Sequence, residues 1–151
     1  MRVESHPEWV EPHFSPADLE AIRAAVAAAE RQTAGEIRVH LERRAVGDVL
    51  AHARRVFHAL GMHRTHHRAS VLLYLAVDDR KFAIVGDDGI HARVGYRLWD
   101  SVRDVLQREL RAGRMRDGVT AAVAEIGRAL GAHFPPRPHD PTDAAPAVTT
   151  A

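Results

Sequence analysis

Apolar residues recur along this chain with two spacings, and the places where one gives way to the other mark the elements. Leu19, Ile22, Val26 and Ala29 fall on one face of a helix. Ser15-Pro16-Ala17-Asp18 opens that helix: Ser15 can cap it, Pro16 suits the first helical position, and Asp18 lies at the positive end of the dipole. The helix should stop near Thr33 to Gly35. Glu36 to Glu42 (EIRVHLE) then alternates polar and apolar, which predicts a half-buried strand. Gly47-Asp48 opens a second helix, along which Val49, Ala53, Val56, Phe57 and Leu60 keep a helical period before Gly61 ends it.

Ser70 to Val77 (SVLLYLAV) is a continuous apolar run, as expected of a central strand covered on both faces. Asp78-Asp79-Arg80 makes a tight turn into Lys81 to Val85, so this neighbour is antiparallel and the sheet is mixed. From Gly95 onward, Leu98, Trp99, Val102, Val105, Leu106 and Leu110 mark a third helix ending at Gly113. Val119, Val123, Ile126 and Leu130 mark a fourth, stopped by Phe134-Pro135-Pro136. Trp99 reads as a core residue of its helix. Residues 1–13 read as an arm with Trp9 and Val10 laid against the body, 14–136 as one α/β domain, and 137–151 as a disordered Pro/Ala/Thr-rich tail.

Composition narrows the function classes. A chain of 151 residues supports one core. With 21 basic and 20 acidic residues it lacks the strong positive field on which non-specific nucleic-acid binding depends. Cysteine is absent, so disulfides, thiolate nucleophiles and Cys-ligated metals are excluded. The opening residues do not have the pattern of a secretory signal, and no run approaches the ~20 apolar residues of a membrane span, so a cytoplasmic location is expected. Walker, G-x-G-x-x-G and G-x-S-x-G motifs are missing, which removes support for the common nucleotide sites and for a triad hydrolase.

Several segments taken together resemble a known family. They are Thr33-Ala34-Gly35-Glu36-Ile37, Leu60-Gly61-Met62 followed by Thr65, Val71 to Ala76, Asp79 to Ile90 (DRKFAIVGDDGI), and Trp99. Their order and spacing resemble the TPM domain from about Phe14 to Pro135. The resemblance implies a three-layer α/β/α sandwich with a central mixed sheet and helices on both faces. It also implies a divalent cation, foremost calcium, at acidic loops, and acid phosphatase activity in some members. Thylakoid and bacterial-envelope members carry signal peptides or membrane anchors, and a shorter soluble branch is the nearer comparison.

The acidic positions are the main candidates for chemistry. Gly86-Asp87-Asp88-Gly89 sets adjacent carboxylates between glycines after a strand, where a bending backbone can converge oxygens on a hard cation. Asp87 and Asp88 are the expected metal ligands, with Glu36 as a third through the resemblance. The same residues also suit an ordinary solvated turn. A cationic loop, His63, Arg64, His66, His67 and Arg68, offers Arg64 and Arg68 as phosphate contacts. Three functions follow. The first is a divalent-cation-binding, foremost calcium-binding, module for binding or assembly. The alternatives are a metal-assisted acid phosphatase and a metal-independent domain that meets a protein partner.

Overall fold

A computed structural model describes residues 6–65, 68–136 and 146–151. Helix α1 (Pro16–Glu30) begins with a reciprocal cap, in which Asp18 N donates to Ser15 Oγ and Ser15 N to Asp18 Oδ2, each at 3.0 Å. Strand β1 (Ile37–Glu42) follows, then helix α2 (Val49–Ala59), whose first turn is capped by Asp48. Gly61 leaves α2 at φ 73°, the left-handed region that favours glycine. Strands β2 (Val71–Ala76) and β3 (Lys81–Gly86) form the expected hairpin. Helices α3 (Asp88–Val94), α4 (Asp100–Arg111) and α5 (Met115–His133) come next, and strand β4 (Val148–Thr150) ends the described chain.

The sheet order is β3-β2-β1-β4, with β1 parallel to both β2 and β4 and β2 antiparallel to β3. The sheet is therefore mixed, as the sequence predicts. Side chains alternate across it. Ile37, Val39, Leu41, Val71, Leu73 and Leu75 face one layer of α1, α4 and α5, where they meet Ile22, Val26, Leu106, Val123, Ile126 and Leu130. Leu72, Tyr74, Ala76, Ala83 and Val85 face the other layer, against Ala53, Phe57 and Met62. The result is an α/β/α sandwich. In the arm, Val10 is buried and Trp9 rests on the core.

Three expectations change. Gly86 to Gly89 is not a flexible turn, because Asp87 caps α3 and Asp88 begins it. The third helix starts later than Gly95: Tyr96–Trp99 is a 3-10 turn and α4 begins at Asp100, with Trp99 buried as expected. The expected tail contains a strand, since Val148 is buried against the core and β4 pairs with the otherwise open edge of β1. Three residues are too few to carry a periodic signal, and long-range pairing decides their state. The rest of the tail, 137–145, lies outside the described residues.

Candidate functional site

Strand register places the predicted acidic residues. Val71 N donates to Glu36 O at 2.8 Å and Asp87 N to Ser70 O at 2.9 Å, so Glu36, Ser70 and Asp87 lie in a row at one end of the sheet. Continued alternation puts all three on the α2 face. Asp87 is only 3% exposed, and both of its carboxylate oxygens have partners. Oδ1 accepts from Asp88 N at 2.8 Å, and both oxygens lie 3.3 Å from Arg68 Nε. Arg68 Nη2 also donates to Asp88 Oδ2 at 3.2 Å, and the Asp88 side chain is 91% exposed. One guanidinium thus bridges the two adjacent aspartates.

Gly89 belongs to this junction for a steric reason. A Cβ there would stand 2.4 Å from the Arg68 carbonyl oxygen, so only glycine lets the loop before β2 lie on the start of α3. Arg64 is exposed, and its backbone N–H donates to Gly61 O at 3.1 Å. Arg68, the other expected phosphate contact, is committed to carboxylates. Glu36 is half-buried near Arg38. Burial holds the Arg38 guanidinium below its usual pKa against the opposing pull of Glu36 and Glu30. His66 and His67 lie outside the described residues.

Asp78 occupies the opposite end of the sheet. It pairs with His13 at 3.2 Å and Arg43 at 3.3 Å, so the hairpin-turn acid shares no rim with Asp87. Among the described residues, no group of three or more His, Asp or Glu side chains converges as a metal-ligand set.

A second polar cluster, which the sequence reading does not single out, lies between the sheet and α2. Glu42 accepts from Tyr74 Oη at 2.7 Å, His52 Nε2 at 2.8 Å and His40 Nε2 at 3.0 Å. His40 Nδ1 lies 2.7 Å from Thr149 Oγ1. Burial pushes the Glu42 carboxyl up, but bonds from Tyr74, His40 and His52 outweigh it and hold the group below its usual range. Burial holds His40 below its usual pKa despite the neighbouring carboxylate, and burial with the Glu42 bond pushes the Tyr74 phenol up. A neutral His40 that donates from Nε2 accepts the Thr149 hydroxyl proton at Nδ1. Glu42 also reaches a shallow hollow of about 540 Å³ beside Arg43, Arg44 and Ala151. The available signal was that His40 and Glu42 share one phase of β1, and that a tyrosine interrupts the apolar run of β2.

Comparison with known proteins follows this geometry. The TPM domain family model matches residues 12–129. The solution structure of the BA42 protein from the psychrophilic bacterium Bizionia argentinensis is 35% identical, with a TM-score of 0.84 over 91% of this chain and 95% of that one. An N-terminal domain from P. gingivalis is 18% identical, with a TM-score of 0.68 over 85% of this chain and 83% of its own. The N-terminal domain of a Corynebacterium glutamicum protein is 16% identical, with a TM-score of 0.64 over 85% and 86%. The last two likenesses concern the fold alone. The comparison with curated proteins gives no match.

Proposed function

Since this chain belongs to the TPM domain family, we propose that it is a divalent-cation-binding domain, with calcium the foremost ion, that serves as a binding or assembly module. The observation that carries the reading is the Arg68 bridge across Asp87 and Asp88. Two neighbouring carboxylates already hold one positive group, and a hard cation competes for the same oxygens. Asp87 and Asp88 would be the side-chain ligands, with backbone carbonyls and water completing the shell; Glu36 lies at the same sheet end but does not converge with them. The ion would contribute charge neutralisation at the α3 start and release Arg68, changing how the loop before β2 meets its surroundings. The phosphatase alternative draws on the resemblance alone. Ser70 Oγ donates to Thr65 Oγ1 at 3.1 Å, a pairing that offers no base to activate it.

The test is thermal unfolding after chelator treatment, with calcium, magnesium or manganese restored. At 100 times its dissociation constant, an ion that binds only the folded state adds ~2.7 kcal/mol. Calcium should raise the wild-type midpoint. Asp88→Asn should weaken the response, and Arg68→Ala should shift it to lower calcium concentration because the competing guanidinium is gone. Midpoints that ignore every ion in all three proteins refute the reading.

A further inference from the structure

The two edges of the sheet are finished differently. One ends in β4, which is three residues long; the other ends in β3, which runs six residues without proline or bulge and carries a single charge, Lys81, at its end. Such an edge lacks the devices that usually keep strands of different molecules apart. Asp87 N donates to Ser70 O at 2.9 Å, so Lys81, Ala83 and Val85 turn their backbone polar groups toward β2 and Phe82, Ile84 and Gly86 turn theirs outward. Among the described residues, no hydrogen-bond partner meets these outward groups. Ile84 and Val85 each keep 8% exposure, against 0% for Leu73 and Leu72 beside them on β2, so the edge is open to solvent.

This edge is complementary to itself. Antiparallel pairing about a two-fold axis at Ile84 sets Ile84 opposite Ile84, and it joins every outward N–H to an outward C=O. Phe82 of one copy then lies opposite Gly86 of the other, where an aromatic ring covers a residue without a side chain, and Ala83 lies opposite Val85. Charge follows the same register. Arg80 and Lys81 are exposed and form no ion pair among the described residues, and they fall opposite Asp88 and Asp87. The Asp88 side chain is 91% exposed. The two-fold repeats this match at both ends of the pair. A formal net charge of +1 leaves little overall repulsion between copies.

We propose that β3 is a self-association edge, through which two copies of this chain pair antiparallel and join their four-stranded sheets into one. The inference is independent of ion binding, and its test is run in chelator-treated buffer of low ionic strength.

The readout is the new hydrogen bonds. Amide exchange of the full 15N-labelled chain is followed by NMR at micromolar and millimolar concentration, beside sedimentation equilibrium of the same samples. The dimer should form as concentration rises, and exchange of the Phe82, Ile84 and Gly86 amides should slow at least tenfold, whereas Ala83 and Val85, already bonded to β2, should change less. Lys81→Glu sets like charges opposite each other and should weaken dimerisation at least tenfold; added salt should weaken the wild-type dimer. If that variant does not fold, Arg80→Asn replaces it, because the left-handed φ of 51° suits asparagine, and dimerisation should weaken several-fold.

A chain that stays monomeric at millimolar concentration overturns the proposal. So does a dimer whose edge amides exchange as in the monomer, since it joins elsewhere, and so does dimerisation unchanged in the charge variant. Edge amides already slow in the monomer would mean that the chain covers its own edge. If a capped peptide of residues 80–88, RKFAIVGDD, fails to slow these amides while an extended peptide of unrelated sequence succeeds, the edge belongs to a different protein and self-pairing falls.

Discussion

Under α1, α4 and α5 the fully buried strand residues are all apolar, whereas the face under α2 carries His40, Glu42 and Tyr74 among Leu72, Val85 and two alanines. The first face is held by shape and apolar area. The second is organised by one carboxylate with three donors. The contrast teaches that a single sheet can combine a face tolerant of polar error nowhere with one where burial depends on completing a hydrogen-bond set. Half of a completed set would be worse than none, because a buried polar group without a partner bears its full desolvation cost.

The largest expected effect lies on the apolar face. Leu73→Ala, at a fully buried position of β2, should destabilise by ~2–5 kcal/mol in urea unfolding. A value below that of polar-face substitutions would break the contrast. Gly127→Ala on α5 should follow at ~1–3 kcal/mol, because its Cβ would stand 2.9 Å from Ala29 Cα; this overpacking exceeds the ~1 kcal/mol that alanine usually gains over glycine in a helix. A stabilised Gly127→Ala would mean that α1 and α5 can separate without loss.

On the polar face, Glu42→Gln should cost ~1–3 kcal/mol, since an amide cannot accept from Tyr74 and both histidines as the carboxylate does. Its pH dependence sharpens the point. Both His40 and Glu42 have depressed folded pKa values, so each contributes stability that is present above its unfolded pKa and lost as pH falls through its folded pKa. The His40 contribution should decline below ~6.5 and the Glu42 contribution below ~4.3. Chemical unfolding at stepped pH should show a smaller acidic loss in Glu42→Gln than in wild type; equal slopes would remove Glu42 from the account. The smallest effect belongs to Asp88→Asn without added ion. The side chain is 91% exposed and the change should stay within ~0.5 kcal/mol.

Much of this architecture was legible because it is local. Leu19, Ile22, Val26 and Ala29 announce α1 by period, Ser15 and Asp48 cap helices as their types suggest, and the apolar run of β2 reads as the covered strand it is. Helix α3 was not legible. Asp87-Asp88-Gly89 suits a turn as well as a helix start, and the seven residues of α3 are too few to set up a helical period, although Ile90 among them is fully buried. The candidate acids were legible as residue types, but not the pairing that consumes them, because Arg68 meets Asp87 only through the hairpin register.

The sequence by itself determined the helical and strand periods, most of the caps, the hairpin and the absence of thiol chemistry, since each depends on neighbours a few residues apart. Tertiary structure alone decided that Glu36 and Asp87 share one end of the sheet while Asp78 takes the other. It also decided that His40, Glu42, His52, Tyr74 and Thr149 form one network, and that three residues of an expected tail complete the sheet. The physical reason is that strand order and register join residues far apart in the chain, and whether a polar side chain is solvated or buried depends on which element is laid over it.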